Sequence, residues 1–375
     1  MLDLGRIGQS EEQGDLFDVA SDFCRNKSPI STVRSLIDDD TGHDPAVWSE
    51  IAELGWLGVA IPEEFGGVGL GLSEVAPIVE CMGRHLMQTP FASTTLAAQA
   101  ILTGGTLAQK SEWLPKLATG TAATLALVEN DNAADFSSPA ATATDNGGAL
   151  TLSGAKRFVT DATSADVIVI SVLYDGKPAL VLAEASAIPG NNLRRETIID
   201  QTKRSFELSL DGVQLPVTAL LDPDKSSDTF NAIHLIGNLL AAAEMVGANK
   251  SVIDYTVEYL NTRKQFGKLI GSYQALKHPV ADAFAMYERA RSHMYSAANC
   301  FSEGLTGEVA TRMAKVSSVQ SLSYAADRAI QFHGGFGFTF DCDAQLYRRR
   351  AIWHGSQFGD VDYHKSKLAD LILRD

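Results

Sequence analysis

The apolar residues of this chain repeat at the helical period near both ends and at a period of two in the middle, an order that few folds accommodate. From Glu11 to about Gly120 the pattern is helical with short breaks. LFDVASDFC sets Leu16, Val19, Ala20 and Phe23 at helical spacing, and DPAVWSEIAELGWLGV offers Asp44 as a cap with Pro45 in the first turn. From about Thr121 to Leu221 short alternating segments such as ALTLSG, KRFVTD and SFELSLDGVQLP predict strands, as do the β-branched runs ADVIVISVLY and ALVLAE. No helix of 12 residues separates these strands, so an antiparallel sheet is expected and a doubly wound nucleotide-binding domain is not. Beyond Asp228 the helical period returns in longer runs, one of them extending from Asn231 to Phe266, as in a bundle. The expected class is α+β: an N-terminal helical domain over 1–122, a middle antiparallel β domain over 123–225, and a C-terminal four-helix bundle over 226–375.

Composition narrows the function. The 375 residues carry 31 Lys plus Arg against 46 Asp plus Glu, a net charge of −15 that repels nucleic-acid backbones while leaving room for a local phosphate pocket. Cys24, Cys81, Cys300 and Cys342 are widely spaced and form no C-x-x-C pair, so neither a disulfide framework nor a structural zinc is expected. His278, His333, His354 and His364 lack metal-ligand spacing and read as structural or surface residues. The segment MLDLGRIGQSEEQGDLF has no basic stretch followed by an apolar run, and the apolar segment Ile233 to Val246 is interrupted by His234, Asn238 and Glu244. A cytoplasmic protein without a membrane span is therefore expected.

Four segments in order resemble the acyl-CoA dehydrogenase family. They are Trp48 to Gly71 with its P-E-E-x-G-G core, Leu152 to Ile170 with G-x-K-x-F-V-T, Tyr259 to Asp282 with Y-x-x-x-R-x-x-F-G, and the segment QFHGGFGFTFDCDAQLYRRRAI. The resemblance covers essentially the whole chain and implies an FAD-dependent α,β-dehydrogenation of an acyl-CoA thioester. In that chemistry a carboxylate takes the α-proton, hydride passes from the β-carbon to the flavin, and relatives hand electrons to an electron-transfer flavoprotein. It further implies that Arg263 and Phe266, with Gln331, Gly334 and Gly335, reach the FAD of a neighbouring subunit, an arginine fork suiting phosphate oxygens. Phe158 and Thr160 correspond to positions that pack on the isoalloxazine and bond to its edge.

Other positions depart from the family pattern. T-E-P-G-A-G-S-D is replaced by VENDNAAD over Val128 to Asp135, where only Glu129 and Asp135 persist. Val128 lacks the hydroxyl, Ala134 lacks the serine, and Asp131 adds a negative charge. Neither usual base position holds an acid, since Gly237 stands at one and Gln357 or Phe358 at the other. Glu244, seven residues beyond Gly237, is the remaining catalytic candidate, and a structural acid bonded to another helix or to a partner is the favoured alternative. Donated groups persist while the chain's own flavin groups and base are altered. This pattern is similar to the non-catalytic-type subunit of heterotetrameric steroid side-chain acyl-CoA dehydrogenases. The expected partner is a sibling subunit in an α2β2 tetramer; a homotetramer using Glu244, and a catalytically silent acyl-CoA-binding or scaffold protein, remain open.

Overall fold

The computed structural model describes residues 8–130 and 136–373; Asp131, Ala134 and Asp135 lie outside them. Helices, short 3-10 turns included, account for 59% of the described residues. Six come first: α1 (Glu11–Lys27), α2 (Ile30–Ser35), α3 (Pro45–Glu53), α4 (Leu72–Arg84), α5 (Phe91–Gly104) and α6 (Leu107–Ala118). Nine strands follow: β1 (Ala123–Ala126), β2 (Thr142–Asp145), β3 (Ala149–Ser153), β4 (Ala155–Thr160), β5 (Val167–Tyr174), β6 (Lys177–Glu184), β7 (Leu193–Arg195), β8 (Ser205–Ser209) and β9 (Gln214–Pro216). The chain closes with α7 (Ser226–Thr262), the hairpin β10 (Lys264–Gln265) and β11 (Lys268–Leu269), then α8 (Gln274–Asn299), α9 (Leu305–Phe332), α10 (Ala344–Ser356) and α11 (Val361–Ile372).

By compactness the chain forms two units, each made of discontinuous pieces. One comprises 1–34, 76–87 and 238–375; the other comprises 35–75 and 88–237. This grouping follows packing, whereas the three stretches expected from sequence follow changes of secondary structure.

In the second unit the helix start at Asp44 forms as its chemistry dictates. The Asp44 side chain accepts from the Ala46 amide at 2.8 Å and Pro45 occupies the first turn, where its missing N–H costs nothing. The strands are mostly antiparallel, with β5–β6 the longest pairing, from Val167↔Glu184 to Tyr174↔Lys177. β1 and β2 nevertheless run parallel to β5, an arrangement that strand order alone does not reveal. β4, β8 and β7 make a separate antiparallel sheet. Inward residues such as Leu150, Leu152, Val159, Ile168 and Ile170 form the core between these layers.

In the first unit α1 buries Phe17, Ala20 and Cys24, with Val19 half exposed. The helix read from the spacing of Leu16, Val19, Ala20 and Phe23 forms, and its buried row is Gly14, Phe17, Ala20 and Cys24. α9 packs against α8, α10 and α11. The Asn249 amide of α7 donates to Ser321 Oγ of α9 at 2.6 Å. The segment Pro223–Thr262 is long and apolar enough to cross a membrane by length and composition, but 89% of its apolar window is buried.

Candidate functional site

The first unit carries the arginine and glycine segments. α7 ends at Thr262, and the next residues turn back as the β10–β11 hairpin, pairing Lys264 with Leu269 and Gln265 with Lys268. Phe266 and Gly267 form its two-residue turn, both left-handed at φ 52° and 77°. Glycine adopts that conformation freely, whereas phenylalanine holds it at a cost of about 1–2 kcal/mol. The strained ring is 91% exposed. Strain at an exposed aromatic is what a contact from outside the chain would justify. Between residues 259 and 281 the chain has Arg263, Lys264, Lys268 and Lys277 and no acid, a basic segment on an acidic protein. Among the described residues the exposed Arg263 guanidinium makes no hydrogen bond or ion pair, and neither does the Gln331 side chain.

α9 stops at Phe332, His333 caps it, and Gly334 to Phe338 form a tight turn. Gly334 is left-handed at φ 60°, and a Cβ on Gly337 would collide with the Ile330 carbonyl. Gly335 has neither constraint: a Cβ there would meet nothing within 4 Å. Its lack of a side chain therefore leaves room for something the chain itself does not supply. The two segments, some 70 residues apart, are brought together by stacking. The His333 ring lies between Tyr255, with centroids 4.7 Å apart and planes at 12°, and Tyr259, at 4.2 Å and 26°. Arg263, Phe266, Gln331, Gly334 and Gly335 consequently belong to one end of this unit.

The flavin-edge candidates lie in the second unit. β4 is bulged between Lys156 and Val159, and Phe158 is left-handed at φ 55°. Glu196, a residue with no sequence signal, holds the bulge. Its carboxylate accepts from the Phe158 amide at 2.9 Å, Arg157 Nε at 3.1 Å and Ser205 Oγ at 2.8 Å. The Arg157 guanidinium sits 4.8 Å from the Phe158 ring centroid. Thr160 accepts from Thr124 Oγ1 through its carbonyl at 2.6 Å, while its own hydroxyl has no protein partner among the described residues. Val128 contributes only backbone here, its carbonyl accepting from the Arg157 amide at 2.7 Å. Glu129 persists for a structural reason: it takes Lys156 Nζ at 2.5 Å and the Ala140 and Ala141 amides at 2.7 and 2.9 Å. Those bonds hold the Glu129 carboxyl below its usual range even though burial opposes them. Thr160 thus remains available to a flavin edge, while the Val128 side chain offers no hydrogen bond.

Glu244 is 6% exposed and paired with a buried arginine. Oε1 takes Arg350 Nη1 of α10, whose side chain is fully buried, and Oε2 lies 3.1 Å from His354 Nε2. A carboxylate paired in this way is an anchor between α7 and α10. The turn at the other base position is built around its backbone. Lys315 Nζ donates to the His354 and Gln357 carbonyls at 2.6 and 2.7 Å, and Asn238 Nδ2 donates to the Phe358 carbonyl at 3.2 Å. Burial, with Lys315 and Arg312 nearby, pushes His364 down to about 3, so the ring is neutral. Arg312 Nη1 donates to its Nδ1 at 3.3 Å, and its Nε2–H donates to the Phe358 carbonyl at 3.0 Å. The turn is firmly positioned, with no acid at Gln357 or Phe358 themselves; Asp360, the next acid, caps α11 by accepting from the Tyr363 amide at 2.8 Å.

Burial also lowers Lys315 from 10.5 to about 7, against a weak pull from Asp360. The unfolded chain then binds more protons than the folded one between pH 7 and 10.5, so this lysine makes stability rise with pH across that window. Denaturant titrations should show wild type gaining on Lys315→Met by roughly 1 kcal/mol per pH unit. Parallel profiles for the two proteins would show that Lys315 keeps its ordinary pKa and stays charged in the fold across that window.

Comparisons with known proteins find relatives along most of the chain. Residues 10–121 match the family described as acyl-CoA dehydrogenase, N-terminal domain, and residues 236–365 match acyl-CoA dehydrogenase, C-terminal domain. The chain is 30% identical over 348 residues to acyl-CoA dehydrogenase IpdE2 of Mycolicibacterium smegmatis, covering 92% of this chain and 94% of that protein. It is 30% identical to glutaryl-CoA dehydrogenase of Desulfococcus multivorans over 337 residues, covering 85% and 86%. Among solved structures it resembles a variant of the Tcur3481–Tcur3483 steroid ACAD, with TM-score 0.85, 29% identity and coverage of 97% and 98%.

Proposed function

The chain belongs to the acyl-CoA dehydrogenase family, whose members are FAD-dependent oxidoreductases acting on the CH–CH bond of acyl-CoA thioesters, and from that premise we propose that it serves as the subunit completing a sibling chain's cofactor site. The observation that carries this reading is the open end of the first unit. There Arg263 and Gln331 have no partner among the described residues, Gly335 has nothing around it, and Phe266 is strained and 91% exposed. The Phe266 backbone is strained in an isolated chain, and the exposed arginine, amide and glycine would be useful against an anionic dinucleotide bound by a neighbour.

FAD, when bound, accepts the hydride lost from the β-carbon of the thioester. The residues fit the dinucleotide end of that cofactor: Arg263 would pair with the pyrophosphate, and the backbone at Gly334 and Gly335 would approach it without a Cβ in the way. In this reading the chain supplies no proton acceptor. Gly237, Gln357 and Phe358 occupy the base positions, and Glu244 is spent on Arg350 and His354. The proton-accepting carboxylate comes from the sibling in an α2β2 assembly, and Thr160 with Phe158 at the β4 bulge would be what remains of this chain's own flavin edge. Similarity to the Tcur3481–Tcur3483 steroid ACAD supports a steroid-derived acyl-CoA as the substrate class. An electron-transfer flavoprotein is the acceptor we assign.

Visible absorption of the purified chain tests the assembly. The chain alone should be colourless, and co-expression with its sibling should give a flavin band near one FAD per pair; a chain that is yellow alone as a homotetramer refutes the reading. Arg263→Ala in the assembled enzyme should weaken FAD about ten- to a hundredfold, the value of one charge-assisted phosphate bond of about 1.5–3 kcal/mol. Unchanged affinity in a fluorescence titration would remove Arg263 from the site.

A further inference from the structure

We propose that His333 is a positioning residue that holds the Arg263 hairpin and the Gly334–Gly335 turn in register for the neighbour's dinucleotide, an inference that rests on the donation reading above. The ring is 2% exposed and does two jobs. Its Nδ1 lies 2.7 Å from the Ala329 carbonyl and donates to it, closing the last turn of α9. Its faces stack on Tyr255 and Tyr259, one turn apart on α7. Phe336 of the following turn leans on the same ring at 6.3 Å.

The surroundings favour a neutral ring. Burial lowers its pKa, opposed by the Ala329 carbonyl and by Asp343. The groups facing it from α7 are the two tyrosines, and the Tyr255 hydroxyl in turn accepts from the Asp343 amide at 3.4 Å and lies 3.8 Å from Cys342 Sγ. A neutral imidazole with its proton on Nδ1 satisfies this arrangement, and Nε2 is left without a hydrogen-bond partner among the described residues.

The lever arms on either side are short. Gln331 precedes His333 by two residues and Gly334 follows it directly. On the other side the Arg263 amide donates to the Tyr259 carbonyl at 2.9 Å, and the Ile270 amide donates to the Arg263 carbonyl at 2.9 Å, closing the hairpin base. A shift of the ring therefore moves the guanidinium and the glycine backbone relative to each other. A ligand gripped from both sides loses affinity steeply when its contacts fall out of register.

Three substitutions separate the two jobs. His333→Phe keeps the stack and loses the donor, His333→Asn keeps a donor and loses the stack, and His333→Ala loses both. Two measurements are made on the assembled enzyme: amide hydrogen exchange at residues 264–270, and the FAD dissociation constant. His333→Phe should match wild type in both. His333→Asn and His333→Ala should speed exchange in the hairpin tenfold or more and weaken FAD by at least tenfold, while exchange in the β strands stays unchanged. Should His333→Ala not assemble, the Asn and Phe variants carry the same contrast. Unchanged hairpin exchange in His333→Asn overturns the positioning role, and so does a Phe variant that behaves like Asn. Faster exchange with unchanged FAD affinity overturns the link to the dinucleotide. Arg263→Ala measured alongside then tells which statement failed: if it still weakens FAD, the donation reading stands and only His333 is removed from it.

Discussion

Arg350→Met is expected to cost the protein about 3–5 kcal/mol, because it leaves the Glu244 carboxylate buried without its cation. Glu244 is 6% exposed, Arg350 is fully buried, and the nearest remaining polar group is His354 Nε2 at 3.1 Å. Removing both charges together, as Glu244→Leu with Arg350→Met, should recover most of that loss, since an apolar pair of similar volume replaces a desolvated ion pair. Chemical denaturation of the three variants measures this, and an Arg350→Met loss under about 1 kcal/mol would mean that the pair is solvated. The same pair separates anchor from base. Glu244→Gln in the assembled enzyme should lower stability while keeping dehydrogenation within a few-fold. Loss of a general base lowers the rate about 10² to 10⁴-fold. A collapse of that size with flavin content and subunit composition unchanged would falsify the anchor assignment.

What could be read in the sequence was mostly local. The Asp44 cap and Pro45 depend on neighbours in the chain, so the start of α3 was legible. The uninterrupted helical period from Asn231 onward likewise marked α7, which ends at Thr262 where the hairpin begins. The helical spacing around α1 was legible, but not its buried row, because Leu16, Val19 and Phe23 are as apolar as the residues that are buried and only the packing partner decides which row faces inward. The parallel pairings of β1 and β2 with β5 depend on long-range register that no turn residue encodes. At the site, Arg263 and the glycines were visible as a spaced motif. His333 was not, since its meaning lies in two tyrosines more than 70 residues earlier. Glu196 gave no signal because a lone acid in a polar loop looks like any solvated charge. Glu244 stood out as an acid in an apolar run, but its role is decided by Arg350, 106 residues away.

Gly247→Val is expected to be the most damaging single change in the helical unit, and the reason is a pattern repeated on two helices. α4 contains Glu80-Cys-Met-Gly83 and α7 contains Glu244-Met-Val-Gly247. A Cβ on Gly247 would fall on the Glu80 carbonyl, and a Cβ on Gly83 would fall on the Glu244 carbonyl. The two helices therefore cross with backbone against backbone, each glycine seated on the residue three before the other's glycine. Close approach also buries both acids, and each has found cations: Glu80 meets Arg291 at 3.1 Å and the Tyr295 hydroxyl at 2.7 Å, as Glu244 meets Arg350. A valine at Gly247 must push the helices apart and loosen both ion clusters together, so its cost should exceed the about 1–3 kcal/mol usual for overpacking. Alanine gives the sharper test because propensity predicts the opposite sign. In an unconstrained helix Gly→Ala gains up to about 1 kcal/mol, and Gly355→Ala on α10, where the nearest neighbour to a Cβ is Val319 at 3.6 Å, should be neutral or stabilising. Gly247→Ala should instead destabilise by about 2 kcal/mol or more in denaturant. If the two alanine variants shift stability in the same direction, the backbone crossing is looser than the glycines indicate, and the buried acids, rather than the close approach, hold α4 to α7.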